Sequence, residues 1–210
     1  MNMIPKTIHG MSPHDCISSL QKFIRRGLER EAMEMACEMG HTSKAFGTWL
    51  TNRLEIISHE DIGLACPNII TLVHTCCEQA REWYNPDKLG QWRMAVGTAI
   101  RAMCRAPKSR EGDHFQAAVG LRSQLEGYTP QVPDWTCDQH TARGKALGRG
   151  LDYFRQESTK LVPAPAEKDP YEDEAYRLWE LKRRGAQPTA ATKGKGTVRT
   201  TRELFYTARG

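Results

Sequence analysis

The chain has 210 residues, 39% of them hydrophobic and 26% charged, with a formal net charge of +5; that length holds one good core, or one core and a tail. No apolar run approaches the roughly 20 residues that cross a bilayer, and Met1-Asn2-Met3-Ile4-Pro5-Lys6 lacks the apolar core of a signal peptide, so no membrane-spanning helix is expected and the protein reads as cytoplasmic (nucleoid-associated in a bacterial or phage setting). Seven scattered cysteines, Cys16, Cys37, Cys66, Cys76, Cys77, Cys104 and Cys137, sit mainly inside helical patterns and are expected to be reduced core residues, not a disulfide framework.

Helical periodicity runs through the chain and strand signals are nearly absent. Ser12-Pro13-His14-Asp15 opens the first predicted helix with a serine cap, an early proline and an acid in the first turn. Ile17, Leu20, Phe23 and Ile24 form its apolar stripe, and Gly27 breaks it. A second helix is predicted from Leu28 to Met39, ended by Gly40. The third runs from about Ser43 to His59, with Phe46, Trp49, Leu50 and Leu54. Pro67 opens the fourth, to about Tyr84. The fifth spans Asp87 to Arg105 with Trp92, Val96 and Ile100, and Ala106-Pro107 stops it. A sixth covers Gly112 to Leu125, and a seventh is predicted from near Cys137 to Lys160.

Val162 to Lys168 reads as a Pro/Ala linker. Asp169-Pro170 opens a last helix to about Arg184, acidic first and basic last as the helix dipole favours. From Gly185 the chain is rich in Gly, Thr, Ala and Lys and is expected to be disordered alone. The expected organisation is therefore a helical body over 1–160, a linker and final helix over 161–184, and a flexible basic tail over 185–210. Leu181 to Gly210 hold eight basic residues against the single acid Glu203, a net +7, so the preceding 180 residues sum to −2. Such an asymmetry suits a polyanionic partner or a solubilising tail.

The most informative stretch is Asn52-Arg53-Leu54-Glu55-Ile56-Ile57-Ser58-His59-Glu60-Asp61-Ile62-Gly63-Leu64-Ala65-Cys66-Pro67. An amphipathic helix runs into an acidic turn and then into a helix opened by proline. The stretch resembles the R-L-x-x-I-(A/S)-x-E-D-I-G-L-A-x-P signature of the C-terminal helical region of the RarA/MgsA family, clamp-loader-related ATPases that work at stalled replication forks. Ser19-Leu20-Gln21-Lys22-Phe23-Ile24-Arg25-Arg26-Gly27 is similar to the A-L-x-K-S-x-R-G-(S/D) start of that region. His140-Thr141-Ala142-Arg143-Gly144, continuing through Gly148-Arg149-Gly150 to Phe154, resembles an H-T-x-R-G-x-x-x-G-R-G-x-x-H-F motif of divergent relatives.

The resemblance implies an all-α, clamp-loader-collar-like body of seven to eight helices that forms homo-oligomers. It also implies a replication or recombination accessory role, with DNA (single-stranded in one version) or a replication-fork protein as partner. The family's ATPase domain is expected to be missing here, as in a homologue carried by a phage or mobile element.

No catalytic residue, cofactor or metal is expected. Gly194-Lys195-Gly196 lacks the upstream glycine and the following hydroxyl of a phosphate loop. Cys137 with His140, and His74 with Cys76 or Cys77, are zinc half-sites without a clear second pair. The candidate structural corner is Glu60 and Asp61, with Gly63 as a turn free of Cβ. The carboxylates would accept N–H bonds from the fourth helix or pair with Arg53, or else meet a partner. Arg25 and Arg26 read either as cations at the negative end of a helix or as phosphate contacts.

Gly144, Gly148 and Gly150, each costly inside a helix by about 1 kcal/mol, would clear a face for helix packing, for a nucleic-acid backbone or for another protein. Arg143, Lys145 and Arg149 stand beside them, and Lys193, Lys195, Arg199 and Arg202 complete the basic set expected nearest a polyanion. Trp49 and Trp92 read as core, Trp135 as a partner contact, and Arg202-Glu203-Leu204-Phe205-Tyr206 as an apolar island that docks elsewhere or packs back. The rival readings are a protein-binding inhibitor or structural module without nucleic-acid affinity, and a helical metal-dependent hydrolase using Glu60, Asp61 and the histidines.

Overall fold

A computed structural model describes residues 5–186. Among these, every regular element is helical and no strand forms. The chain divides into two compact units, Met1–Thr129 and Pro130–Gly210, so the body-to-linker boundary read at 160 falls inside the second. Lys193, Lys195, Arg199, Arg202 and the apolar island that ends at Tyr206 lie outside the described residues. No helix among the described residues is long and apolar enough to cross a membrane.

The first unit holds α1 (Pro13–Arg25), α2 (Glu29–Thr42), α3 (Lys44–Ile57), α4 (Asn68–Glu82), α5 (Gly90–Arg105) and α6 (Glu111–Leu125). The stripe on α1 packs chiefly on α2, α4 packs chiefly on α5, and α3 touches both α2 and α4. Leu20, Leu50, Leu54, Val73, Trp92 and Ile100 meet in one core and are essentially inaccessible to solvent. Burial of each such side chain is worth about 1.5–3 kcal/mol. The connection from α1 to α2 is fixed by Gly27 at φ +73°, with the Leu28 N–H bonded to the Phe23 carbonyl at 2.9 Å, a helix end that glycine makes without strain.

Several predicted helix ends move: α4 stops at Glu82, α5 begins at Gly90, and the ends of α2 and α3 shift for reasons the packing shows. Gly40 does not end α2, which continues to Thr42. A Cβ on Gly40 would stand 2.2 Å from the Trp92 ring, so the glycine admits an indole against the helix backbone. The Tyr84 hydroxyl then donates to the Gly40 carbonyl at 2.8 Å. The third helix stops at Ile57, and a π-helical turn, Ser58–Ile62, followed by a 3-10 turn, Gly63–Ala65, carries the chain round to α4.

α6 differs from the rest. None of its fifteen residues is buried, and Phe115, Val119, Leu121 and Leu125 are exposed.

In the second unit a 3-10 turn, Asp134–Thr136, comes first, and the long helix predicted from Cys137 to Lys160 is broken into a single helical turn α7 (Ala142–Ala146) and α8 (Leu151–Tyr153), which runs on as a π turn, Phe154–Ser158. Glycine is the reason: Gly148 takes φ +68° and ends α7, and Gly150 is extended before α8. The last helix, α9, is Glu172–Arg183. Cys137, Leu151 and Tyr176 are the buried apolar residues among those described in this unit.

Candidate functional site

The acidic turn that dominates the sequence is a closed ion-pair corner. Gln21 and Arg25 lie one helical turn apart on α1 and reach the same carboxylate. Asp61 is 1% exposed; it accepts from Gln21 Nε2 at 2.8 Å and from Arg25 Nε at 2.7 Å. Glu60 accepts from Arg25 Nη2 at 3.1 Å, Arg53 Nη2 at 3.4 Å and Arg110 Nη2 at 3.3 Å. Arg53 also donates to Gln21 Oε1, and the Asp61 carbonyl takes the Ser109 N–H at 3.1 Å.

Asp61 and Glu60 therefore tie α1, α3 and the segment entering α6 to one turn. The fourth helix supplies none of the hydrogen bonds described for these two carboxylates. Gly63, at φ +46°, makes the turn possible. Arg25 is committed to this corner, whereas Arg26 is exposed. Arg53 is the one corner partner that the sequence names for these acids. Gln21 shares the α1 face with Arg25 and was legible in principle. Arg110, 50 residues from Glu60, had no local signal.

A second set of charges lies between α3 and α4. Arg81 donates to Glu55 at 2.6 Å, to Asn52 at 2.8 Å and to Glu78, and His74 Nδ1 lies 2.8 Å from Glu55. Burial pushes the Glu55 carboxyl up, but the hydrogen bonds from Arg81 and His74 hold it below the usual range. Glu55, His74 and Glu78 bring ligand atoms within 4.8 Å of one another, and the Arg81 guanidinium already meets both carboxylates. His74 thus faces acids and not the cysteines beside it. Cys77 is buried with its thiol pushed up to about 12 by desolvation.

In the second unit the glycine–arginine motif folds on itself. Thr141 caps α7, its Oγ1 accepting the Gly144 N–H at 2.9 Å. A Cβ on Gly144 would stand 1.9 Å from the Asp138 carbonyl oxygen, so this glycine lets the helical turn press on the preceding loop. Gly148, past the end of α7, does not share a helix face with it.

Arg149 donates to the Asp134 and Cys137 carbonyls at 2.6 and 2.7 Å, pairs with the Asp134 carboxylate and lies 4.2 Å over the Tyr153 ring. Arg143 meets the same Asp134 at 3.0 Å. The Asp134 carboxyl is held below its ordinary range by the hydrogen bond from Arg149. Arg149 is thereby a staple, while Lys145 is exposed. Trp135 is exposed as well.

Asp138 accepts the His140 N–H at 2.9 Å and faces His140 Nδ1 at 3.2 Å. The His140 backbone bond is the main reason its carboxyl lies low.

Among the described residues the protein is thus an all-helical module whose best-marked acids are internal ties. Residues 46–194 match the family model of the MgsA AAA+ ATPase C terminal, and the chain belongs to that family. It is 27% identical over 146 residues to Replication-associated recombination protein A of Bacillus subtilis (strain 168), an alignment that covers 69% of this chain and 32% of that protein. The chain therefore spans about a third of the length of that relative. The family match takes in the Glu60-Asp61-Ile62-Gly63 turn and the whole His140–Phe154 motif, and begins after the α1 segment.

Proposed function

We propose that this protein is a non-catalytic accessory module of replication or recombination that self-assembles through its helical body and engages DNA, in the first place single strands. The charge distribution carries the DNA half. Thirty C-terminal residues bear a net +7 against −2 for the rest, and Glu29, Glu55, Glu60 and Asp61 of the first unit are held in internal pairs. A polyanion is the partner such a segment attracts. Family membership and the name of the Bacillus relative support the cellular process. α6 supports the assembly. Phe115, Val119, Leu121 and Leu125 are exposed on a helix none of whose residues is buried. The exposed cations Arg26 and Lys145, with the tail basics, are assigned to the strand. Arg25, Arg143 and Arg149 hold the protein's own carboxylates.

Fluorescence anisotropy with a labelled thymidine 20-mer tests the DNA half. Affinity should fall steeply as salt rises, and removal of residues 185–210 should flatten the log–log slope by about 0.7 per lost phosphate contact. No binding at low salt, with oligomers intact, would favour the protein-binding module instead. Native mass measurement of Leu121→Asp, expected to be monomeric, tests the assembly.

A further inference from the structure

We infer that the second unit contains a slot for a single nucleotide, formed by His140, Phe154 and Trp179 with Arg183 at its edge. The proposal rests on the DNA reading only in taking a nucleic-acid strand as the source of that nucleotide.

The residues Gln139, His140, Leu151, Phe154, Trp179 and Arg183 enclose a cavity of about 330 Å³. That is the small end of the range for ligand sites, the size of a monomer unit and not of a dinucleotide cofactor. Its two aromatic walls are already placed. Phe154 meets the His140 ring edge to face at 5.1 Å, and Trp179 meets Tyr176 at 5.1 Å with the planes at 88°. Tyr176 is buried, yet Trp179 is 49% exposed. An indole anchored on one side and open on the other gives a base a stacking face without first having to be ordered.

The polar groups match the remaining parts of a nucleotide. Asp138 holds Nδ1 of His140, which leaves Nε2 as the nitrogen available to a ligand, on a side chain that is 64% exposed. Arg183 gives Nε and Nη2 to Glu180 at 3.1 and 3.2 Å, Asp152 also acts on its charge, and its Nη1 is the donor that can face a phosphate. Gln139 offers an amide that both donates and accepts, which suits a base edge. A purely hydrocarbon ligand would make no use of His140 Nε2, the Gln139 amide or the outer donors of Arg183.

Isothermal titration of the full chain with thymidine monophosphate, thymidine and inorganic phosphate is the test. The monophosphate should bind, with the nucleoside and free phosphate each weaker. Trp179→Ala should weaken monophosphate binding by about 5- to 150-fold, the range for one stacked base, and Trp179→Phe should recover most of it, which separates loss of stacking from loss of folding. His140→Ala and Arg183→Gln should abolish the preference for monophosphate over nucleoside.

The slot is overturned if the wild-type protein neither binds the monophosphate nor lets it compete with the thymidine 20-mer, or if folded Trp179→Ala binds it like wild type. Monophosphate binding without 20-mer binding would uphold the slot and reject the DNA reading. 20-mer binding with neither binding of nor competition by the monophosphate would do the reverse.

Discussion

The two units satisfy their charged groups in different ways. In the first, carboxylates and guanidiniums from distant segments converge on a buried turn beneath a large apolar core: Asp61 is reached from α1 and Glu60 from α1, α3 and the segment before α6. In the second, the described ties span shorter separations, the longest of them joining Arg155 to Asp173 across 18 residues. Asp134 holds Arg143 and Arg149, and Asp138 holds His140, around the few buried apolar residues Cys137, Leu151 and Tyr176. Long-range burial makes a unit stable, and local staples make it specific in shape but easily opened. The unit with little core is also the one that keeps an indole and an imidazole half in water, as a ligand site requires.

This contrast is open to test unit by unit, with hydrogen exchange read peptide by peptide. The largest effect is expected from Asp61→Ala. It leaves Gln21 Nε2 and Arg25 Nε without their carboxylate and should cost about 3 kcal/mol, the low end for a broken buried pair because Arg25 is partly exposed. Faster exchange confined to the first unit is the expected outcome. An equal change in both units would show that they do not open separately.

Gly144→Ala comes next. The new methyl meets backbone, not a flexible side-chain end, and about 2 kcal/mol of overpacking strain is expected in the second unit. A neutral result would mean that α7 does not press on the Asp138 loop.

The smallest effect is that of mild acid. Asp134 and Asp138 have carboxyls lowered by their hydrogen bonds in the folded state, so their contribution is complete above the ordinary aspartate pKa of about 3.9 and is lost as pH falls through the lowered values. Protection in the 134–149 loop should therefore decline progressively below about pH 4. A loop equally protected at pH 3 and pH 6 would detach those ion pairs from its stability.

Sequence alone determined the all-helical class, the order of the helices in the first unit and the family, because 3.6-residue periodicity, proline starts and a long acidic-turn signature are local properties. The positions of Ile17, Leu20 and Ile24 fix which face of α1 is buried, whatever it meets. Only the tertiary structure decided what the marked residues do. Whether Glu60 and Asp61 face a partner or an arginine depends on Arg25 and Arg110, each far from them along the chain. Whether Gly40 ends a helix or admits Trp92 depends on α5. Whether Gly144 and Gly148 clear one helix face depends on a single left-handed φ that breaks the helix between them. Long-range pairing is chosen by the free energy of the whole packed unit, so a string of residues shows the groups available to pair and not the pairs that form.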